Sequence, residues 1–234
     1  MERAQTHRAR AVIPFIPYIA VSILHVVLNT LDLPGGGFET KQLLMPALAL
    51  AAVWATWRVR PRSRAGLALI LTALLFSWIG DGAGLFFAGL PTLPMMILCF
   101  GVAHLTYIAL FWRAPGIADP RRVPWWAAVY AVWWIGAIAV IGPHAGDLLI
   151  PLCVYGLVLG GTAALSTRLG PLVAWGGASF LVSDTLIAVR EFLEAPDWVG
   201  DWIMPTYTLG QGLIVFGVVA ALRWGARPVT GSPA

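Results

Sequence analysis

Apolar residues run along this chain in long blocks, and the charged residues gather in the gaps between them. Eight blocks stand out, over residues 11–30, 42–57, 66–89, 93–112, 124–141, 148–166, 170–190 and 202–223. A helix needs about 20 apolar residues to cross the hydrocarbon core of a bilayer, and most of the blocks approach that length. The second is shorter, and the fifth starts directly behind Pro124. Strands of a membrane barrel would alternate polar and apolar positions, and LALILTALLF (residues 67–76) does not. The pattern therefore predicts an all-α fold: a polytopic membrane bundle of eight transmembrane helices over 11–223, with tails at 1–10 and 224–234. The first block follows MERAQTHRAR, which suits a signal peptide. It ends in His25, Asn29 and Thr30 with no small-residue cleavage site, so it reads as a retained helix.

Loop charges orient the bundle. With eight crossings, both termini and the even-numbered connections share one side. All of the 15 basic residues fall on that side except Lys41 and Arg190. Arg58, Arg60, Arg62 and Arg64 lie between the second and third blocks, and Arg113, Arg121 and Arg122 between the fourth and fifth. The positive-inside rule puts both termini in the cytoplasm, of a bacterial inner membrane by this reading. Asp32, Glu39, Asp147, Glu191, Glu194, Asp197 and Asp201 fall on the opposite side. A wrong helix count would have scrambled this segregation.

Composition agrees: 59% of residues are hydrophobic and 11% charged, against about 25% charged in a soluble domain. The net charge of +4 would suggest a nucleic-acid partner in a soluble protein. Here the basic residues sit in short loops, so membrane orientation accounts for them and no nucleic acid is expected. Cys99 and Cys153 lie inside apolar blocks and form no CxxC pair, which removes zinc-finger and thioredoxin readings. Tryptophans such as Trp54, Trp57, Trp112, Trp125 and Trp198 fall near block ends, as interfacial anchors do.

Against this background the buried polar residues matter. Asp81 interrupts FSWIGDGAGLFFAG (residues 76–89), and Asp184 interrupts ASFLVSDTLIA (178–188). One Asp at a helix centre costs about 2.5–3.5 kcal/mol on insertion scales. Two of them must face the bundle interior or a wet cavity. Both blocks run outward, so both aspartates belong to the outer half. Lys41 sits at the outer mouth, Tyr155 and Tyr207 in the outer half, and His104 and Gln211 near mid-depth. Two carboxyl groups in unlike surroundings are what acid and base roles near neutral pH require. Tyr107 lies one turn from His104, and Ser183 adjoins Asp184. His25 and Asn29 read best as helix–helix glue. No HxxxH or HExxH spacing occurs, so neither a metal nor a cofactor is expected. A weak echo between blocks 3–4 and 7–8 admits a parallel four-plus-four duplication.

SWIGDGAGL, FGVAHLTY, the lone Tyr155, ASFLVSDTLIA and YTLGQGLI, in that order and spacing, resemble the YhhN family of membrane proteins, which includes the lysoplasmalogenases. The resemblance extends over about residues 30–225. Lys41 matches a family lysine, although Gln42 stands where proline often follows it. The resemblance implies an eight-helix hydrolase that cleaves the vinyl-ether bond of lysoplasmalogens, giving a fatty aldehyde and a glycerophospho-alcohol. Asp81 and Asp184 would then be the acid and base, in either order. Lys41, His104, Tyr107, Tyr155, Ser183, Tyr207 and Gln211 would orient the lysophospholipid and water. Two rivals stay open: another membrane lipid hydrolase, metal-dependent or not, and a proton-coupled transporter of lipid or solute that uses the aspartates as a relay.

Overall fold

The computed structural model describes residues 11–34, 37–57, 63–117 and 120–224. Both tails and the loop arginines 58–62 lie outside these. Among the described residues there is no strand. Eight long helices follow one another: α1 (Ile16–Thr30), α2 (Phe38–Trp57), α3 (Arg64–Asp81), α4 (Thr92–Arg113), α5 (Val129–Ile141), α6 (Leu149–Ser166), α7 (Pro171–Phe192) and α8 (Trp198–Trp224). Short 3₁₀ turns extend several of them, including Ile13–Phe15 before α1 and Trp125–Ala128 before α5. Seven of these helices, with their 3₁₀ extensions, are long and apolar enough to cross a membrane. The exception is α2, the short second block. Its 20 residues form a continuous helix, but its first turns carry Glu39, Lys41 and Gln42.

Local chemistry sets the ends. The Ser63 hydroxyl accepts a hydrogen bond from the Gly66 amide at 3.0 Å and caps α3. Pro171 opens α7 behind Gly170, whose φ of +107° ends the preceding turn. The Arg168 guanidinium donates to the carbonyls of Phe111 and Trp112 at the C-terminus of α4, where a cation also meets the helix dipole.

One element departs from the sequence pattern. Block 66–89 is not a single helix. α3 stops at Asp81, a one-turn helix occupies Ala83–Phe86, and Gly89 turns the chain with φ +88°. Gly80 abuts the Phe100 ring and Cys99 of α4, two turns into that helix. The break therefore lies well inside the bundle. Non-helical backbone at such depth is tolerated where protein buries it. Asp81 is thus the last residue of a broken helix rather than a residue in mid-helix.

Sequential helices pack as neighbours: α1 on α2, α2 on α3, α3 on α4, then α5 on α6, α6 on α7, α7 on α8. Four contacts join the halves: α4 on α6, and α8 on α2, α1 and α3. Exchanging α1–α4 for α5–α8 reproduces the sequential contacts and turns α4 on α6 into α8 on α2, as a duplication would. The departures are α1 and α3 on α8 and α5 on α7, which have no comparable counterparts; α5 in particular does not pack along α4.

The tightest pair is α7 with α8. A Cβ on Gly176 would lie 2.7 Å from the Ile214 amide nitrogen, and one on Gly210 would lie 2.8 Å from that of Phe180. Small residues here let two backbones touch. Ser179 and Ser183 add rungs, donating to the carbonyls of Thr206 and Ile203. This contact fixes Asp184 and Tyr207 relative to one another.

Candidate active site

Asp81 and Asp184 both point into the bundle, and each collects a different set of partners. Lys41 Nζ lies 3.2 Å from Asp81 Oδ1, and the Tyr207 hydroxyl donates to Asp81 Oδ2 at 2.7 Å. Three helices thus meet on one carboxylate: α2 supplies the cation, α8 the phenol, and the broken end of α3 the acid. The Lys41 side chain is 26% exposed and that of Asp81 only 2%, so the lysine leads from the outside of the bundle to the acid.

A proline helps to set this arrangement. Pro46 in α2 has no N–H to give the carbonyl four residues earlier. That carbonyl belongs to Gln42, and it accepts the Trp78 indole N–H at 3.0 Å instead. The bond ties the Lys41 turn to α3 one turn before Asp81. The Gln42 side-chain amide is buried and has no hydrogen-bond partner, and it lies beside Gly82.

Asp184 is held otherwise. The Tyr155 hydroxyl of α6 donates to its Oδ2, and His104 Nε2 of α4 lies 3.6 Å from the same oxygen. His104 is fully buried, and its Nδ1 has no partner. No lysine or arginine is paired with Asp184 among the described residues.

Aromatic rings connect the partners of the two acids. Phe180 stands 4.7 Å from the His104 ring and 5.4 Å from that of Tyr207, centroid to centroid. Phe100 contacts Phe180 and Tyr207 edge-on. The separation that takes Asp81 to Asp184 in the sequence also takes His104 to Tyr207. Each acid is served by a residue of the other half of the chain, so the site sits on the junction of α1–α4 with α5–α8.

Three further candidates take supporting places. The Tyr107 hydroxyl donates to Gln211 Oε1 at 2.7 Å, and Gln211 Nε2 donates to Ser77 Oγ at 3.1 Å. This buried chain links α4, α8 and α3 beside the acids without touching either. Ser183 is not brought to the site: its hydroxyl is spent on the Ile203 carbonyl, on the α8 face of α7. His25 bonds Thr40 at 2.8 Å and joins α1 to α2, as glue does, whereas Asn29 is exposed.

Phe100, Phe180, Trp78 and Gln42 are site neighbours that sequence reasoning passed over. Phe180 and Phe100 each precede a site residue by four positions, Asp184 and His104. That one-face spacing is the signal that would have found them. Among the described residues no three His, Cys, Asp or Glu side chains gather as metal ligands.

On the α5 side the bundle holds an apolar cleft between α4, α5, α6 and α7, with about 760 Å³ of atom-free space counted with its open side. Met96, Phe100, Trp134 and Ile138 line it, and Tyr155 and Asp184 form part of its wall. Asp81 does not line it.

The family model described as the YhhN family matches residues 38–218. No curated protein and no solved structure matches the chain.

Proposed function

The chain belongs to the YhhN family, and from that premise we propose that it is an intramembrane hydrolase of the vinyl-ether bond of lysoplasmalogens. Hydrolysis of a vinyl ether begins with a proton added to the β-carbon. The resulting oxocarbenium ion takes up water, and the hemiacetal collapses to an aldehyde and an alcohol. Such a reaction needs one group that gives a proton and one that stabilises the cation or activates water, as two carboxyls do in glycoside hydrolysis.

One observation carries the reading: two buried aspartates at one locus, in opposite surroundings. Asp81 has a lysine and a phenol on it. Asp184 has a phenol and an imidazole, beside an apolar cleft. In this reading Lys41, part-exposed beside Asp81, meets the lipid phosphate. A single-chain lipid suits a site inside a bundle, since its tail stays among apolar side chains.

The test is aldehyde release from a lysoplasmalogen by the purified protein in detergent. Turnover by the wild type, lost in Asp81→Asn and Asp184→Asn proteins that melt like it, is the expected result. Near-wild-type turnover in either variant removes that residue's role. Proton-coupled uptake into vesicles without any product points to the transporter instead, and loss of activity on chelation to a metal-dependent hydrolase.

A further inference from the structure

The cleft beside Asp184 is built from facing stripes that do not meet. On α4, Leu93, Met96, Ile97 and Phe100 line it, and on α5, Trp134, Ala137, Ile138 and Ile141 do. Both sets have the one-face spacing by which helices pack against each other. Yet α5 leans on α6 and α7 and leaves α4 unpacked, whereas its counterpart α1 contacts α8 and shares with it an apolar groove that reaches neither aspartate. The polar atoms near the cleft are turned away or satisfied. The Trp134 indole donates to the Cys153 carbonyl at 2.9 Å, and that of Trp133 to Thr185 Oγ1 at 3.2 Å. What remains is hydrocarbon wall, with Asp184 and Tyr155 at one end. Glu191 and Phe192 lie about two helical turns away along α7, at the other.

We propose that this cleft holds the single hydrocarbon chain of the substrate, which slips in from the bilayer between α4 and α5, and that the orientation this imposes makes Asp184 the proton donor and Asp81 the group that activates water. The chemistry of the lining names the occupant, and its continuity with the polar site fixes which end is which. A chain in the cleft leaves the glycerophosphate to run past Phe100 and Phe180 toward Lys41, the cation at the far carboxylate. The β-carbon of a vinyl ether belongs to the chain, so it faces Asp184. The α-carbon carries the glycerol oxygen, so it faces Asp81.

The steps then balance. Asp184 gives its proton to the β-carbon and becomes a carboxylate, and the α-carbon becomes the oxocarbenium centre. Water adds there and passes a proton to Asp81. On collapse, the hemiacetal hydroxyl returns a proton to Asp184. Asp81 protonates the departing glycerol oxygen as its bond to the α-carbon breaks. Both acids end as they began. The assignment of roles rests on the hydrolase reading, while the chain site stands on the cleft itself.

Two experiments test it. The first uses a saturated 1-O-alkyl lysophospholipid with a diazirine in its chain, which has no vinyl ether to hydrolyse, on the intact protein in detergent. Photolysis is expected to label cleft residues such as Met96 and Ile138. Labelling should fall at least five-fold in Ala137→Phe and in the milder Ala188→Leu. Adducts on lipid-facing positions or at the groove of α1 and α8, or labelling unchanged in both variants, overturn the chain site. Because this probe is inert, it reads the site even if the wild type releases no aldehyde, in which case only the hydrolase reading falls.

The second experiment incubates lysoplasmalogen with each Asn variant in heavy water. Asp81→Asn still protonates the β-carbon and lets the cation revert, so recovered substrate gains deuterium there. Asp184→Asn leaves it unlabelled. Exchange with Asp184→Asn, or with neither variant, overturns the order of roles.

Discussion

The two halves of this bundle present the same carboxylate to the same interior and treat it in opposite ways. Asp81 ends a broken helix, neutralised by Lys41 at 3.2 Å. Asp184 sits within an unbroken one, with a phenol and an imidazole for company. At the position where one half offers Tyr207, the other offers His104. A cation beside a buried carboxylate favours its charged form, and only Asp81 has a lysine or arginine paired with it among the described residues. The lesson is that two halves of similar layout need few differences at matching positions to put two like acids in unlike surroundings. The broken helix adds to the difference, since it brings Asp81 close to the mouth that Lys41 lines.

The comparison breaks first at the acids themselves. General acid–base groups contribute about 10²–10⁴-fold, so Asp81→Asn and Asp184→Asn should each lose at least that much aldehyde release. Next comes Lys41→Met, which strips the cation from Asp81. Removing one partner of a buried pair costs about 3–5 kcal/mol. The loss in thermal stability should be partly recovered in the Lys41→Met/Asp81→Asn double variant. No recovery would mean that the lysine's place in the fold has nothing to do with Asp81. No equivalent cation exists to remove from Asp184 among the described residues.

Much of the frame is legible in the sequence because a bilayer imposes one strong rule per feature. Block length yields the spans, and the arginines between them yield the count. What depth supplies is only the coordinate along the helix axis. Ser183 and Asp184 share a depth, but they lie about 100° apart around α7. One faces the carbonyl of Ile203 and the other the cleft. Nothing in ASFLVSDTLIA says which face is which until Gly176 and Gly210 fix the α7–α8 contact. The break after Asp81 is hidden for a similar reason. Glycines at 80, 82 and 84 suit a close-packed helix as well as a broken one. The break lies among neighbours distant in sequence, with the Phe100 ring against Gly80 and the Gln42 amide beside Gly82. The gap between α4 and α5 is invisible too, since the apolar stripe that α5 turns to it looks like any stripe that packs.

The phenols sharpen the comparison at a smaller scale. A hydrogen bond to a charged group is worth about 1.5–3 kcal/mol, or about 10- to 100-fold in rate where it acts on the transition state. Tyr207→Phe leaves Asp81 still paired with Lys41. Tyr155→Phe leaves Asp184 with only the imidazole at 3.6 Å. Tyr155→Phe should therefore cost more turnover than Tyr207→Phe, read as kcat on proteins of matched melting temperature. The reverse order would mean that Asp81 is the more dependent acid and that the two environments have been ranked wrongly.

Ser183→Ala is the smallest change and the cleanest control. Its hydroxyl donates to the Ile203 carbonyl, which is part of α8's own ladder. Inter-helix hydrogen bonds in membrane proteins average about 0.6 kcal/mol, so the melting temperature should fall by a degree or two. Turnover should stay within two-fold, because the side chain meets neither carboxylate nor the cleft. The residue adjoins Asp184 in the sequence and stands apart from it in the bundle. A large loss of kcat with an unchanged melting curve would bring it back to the site, and would show that α7 turns its other face to the substrate.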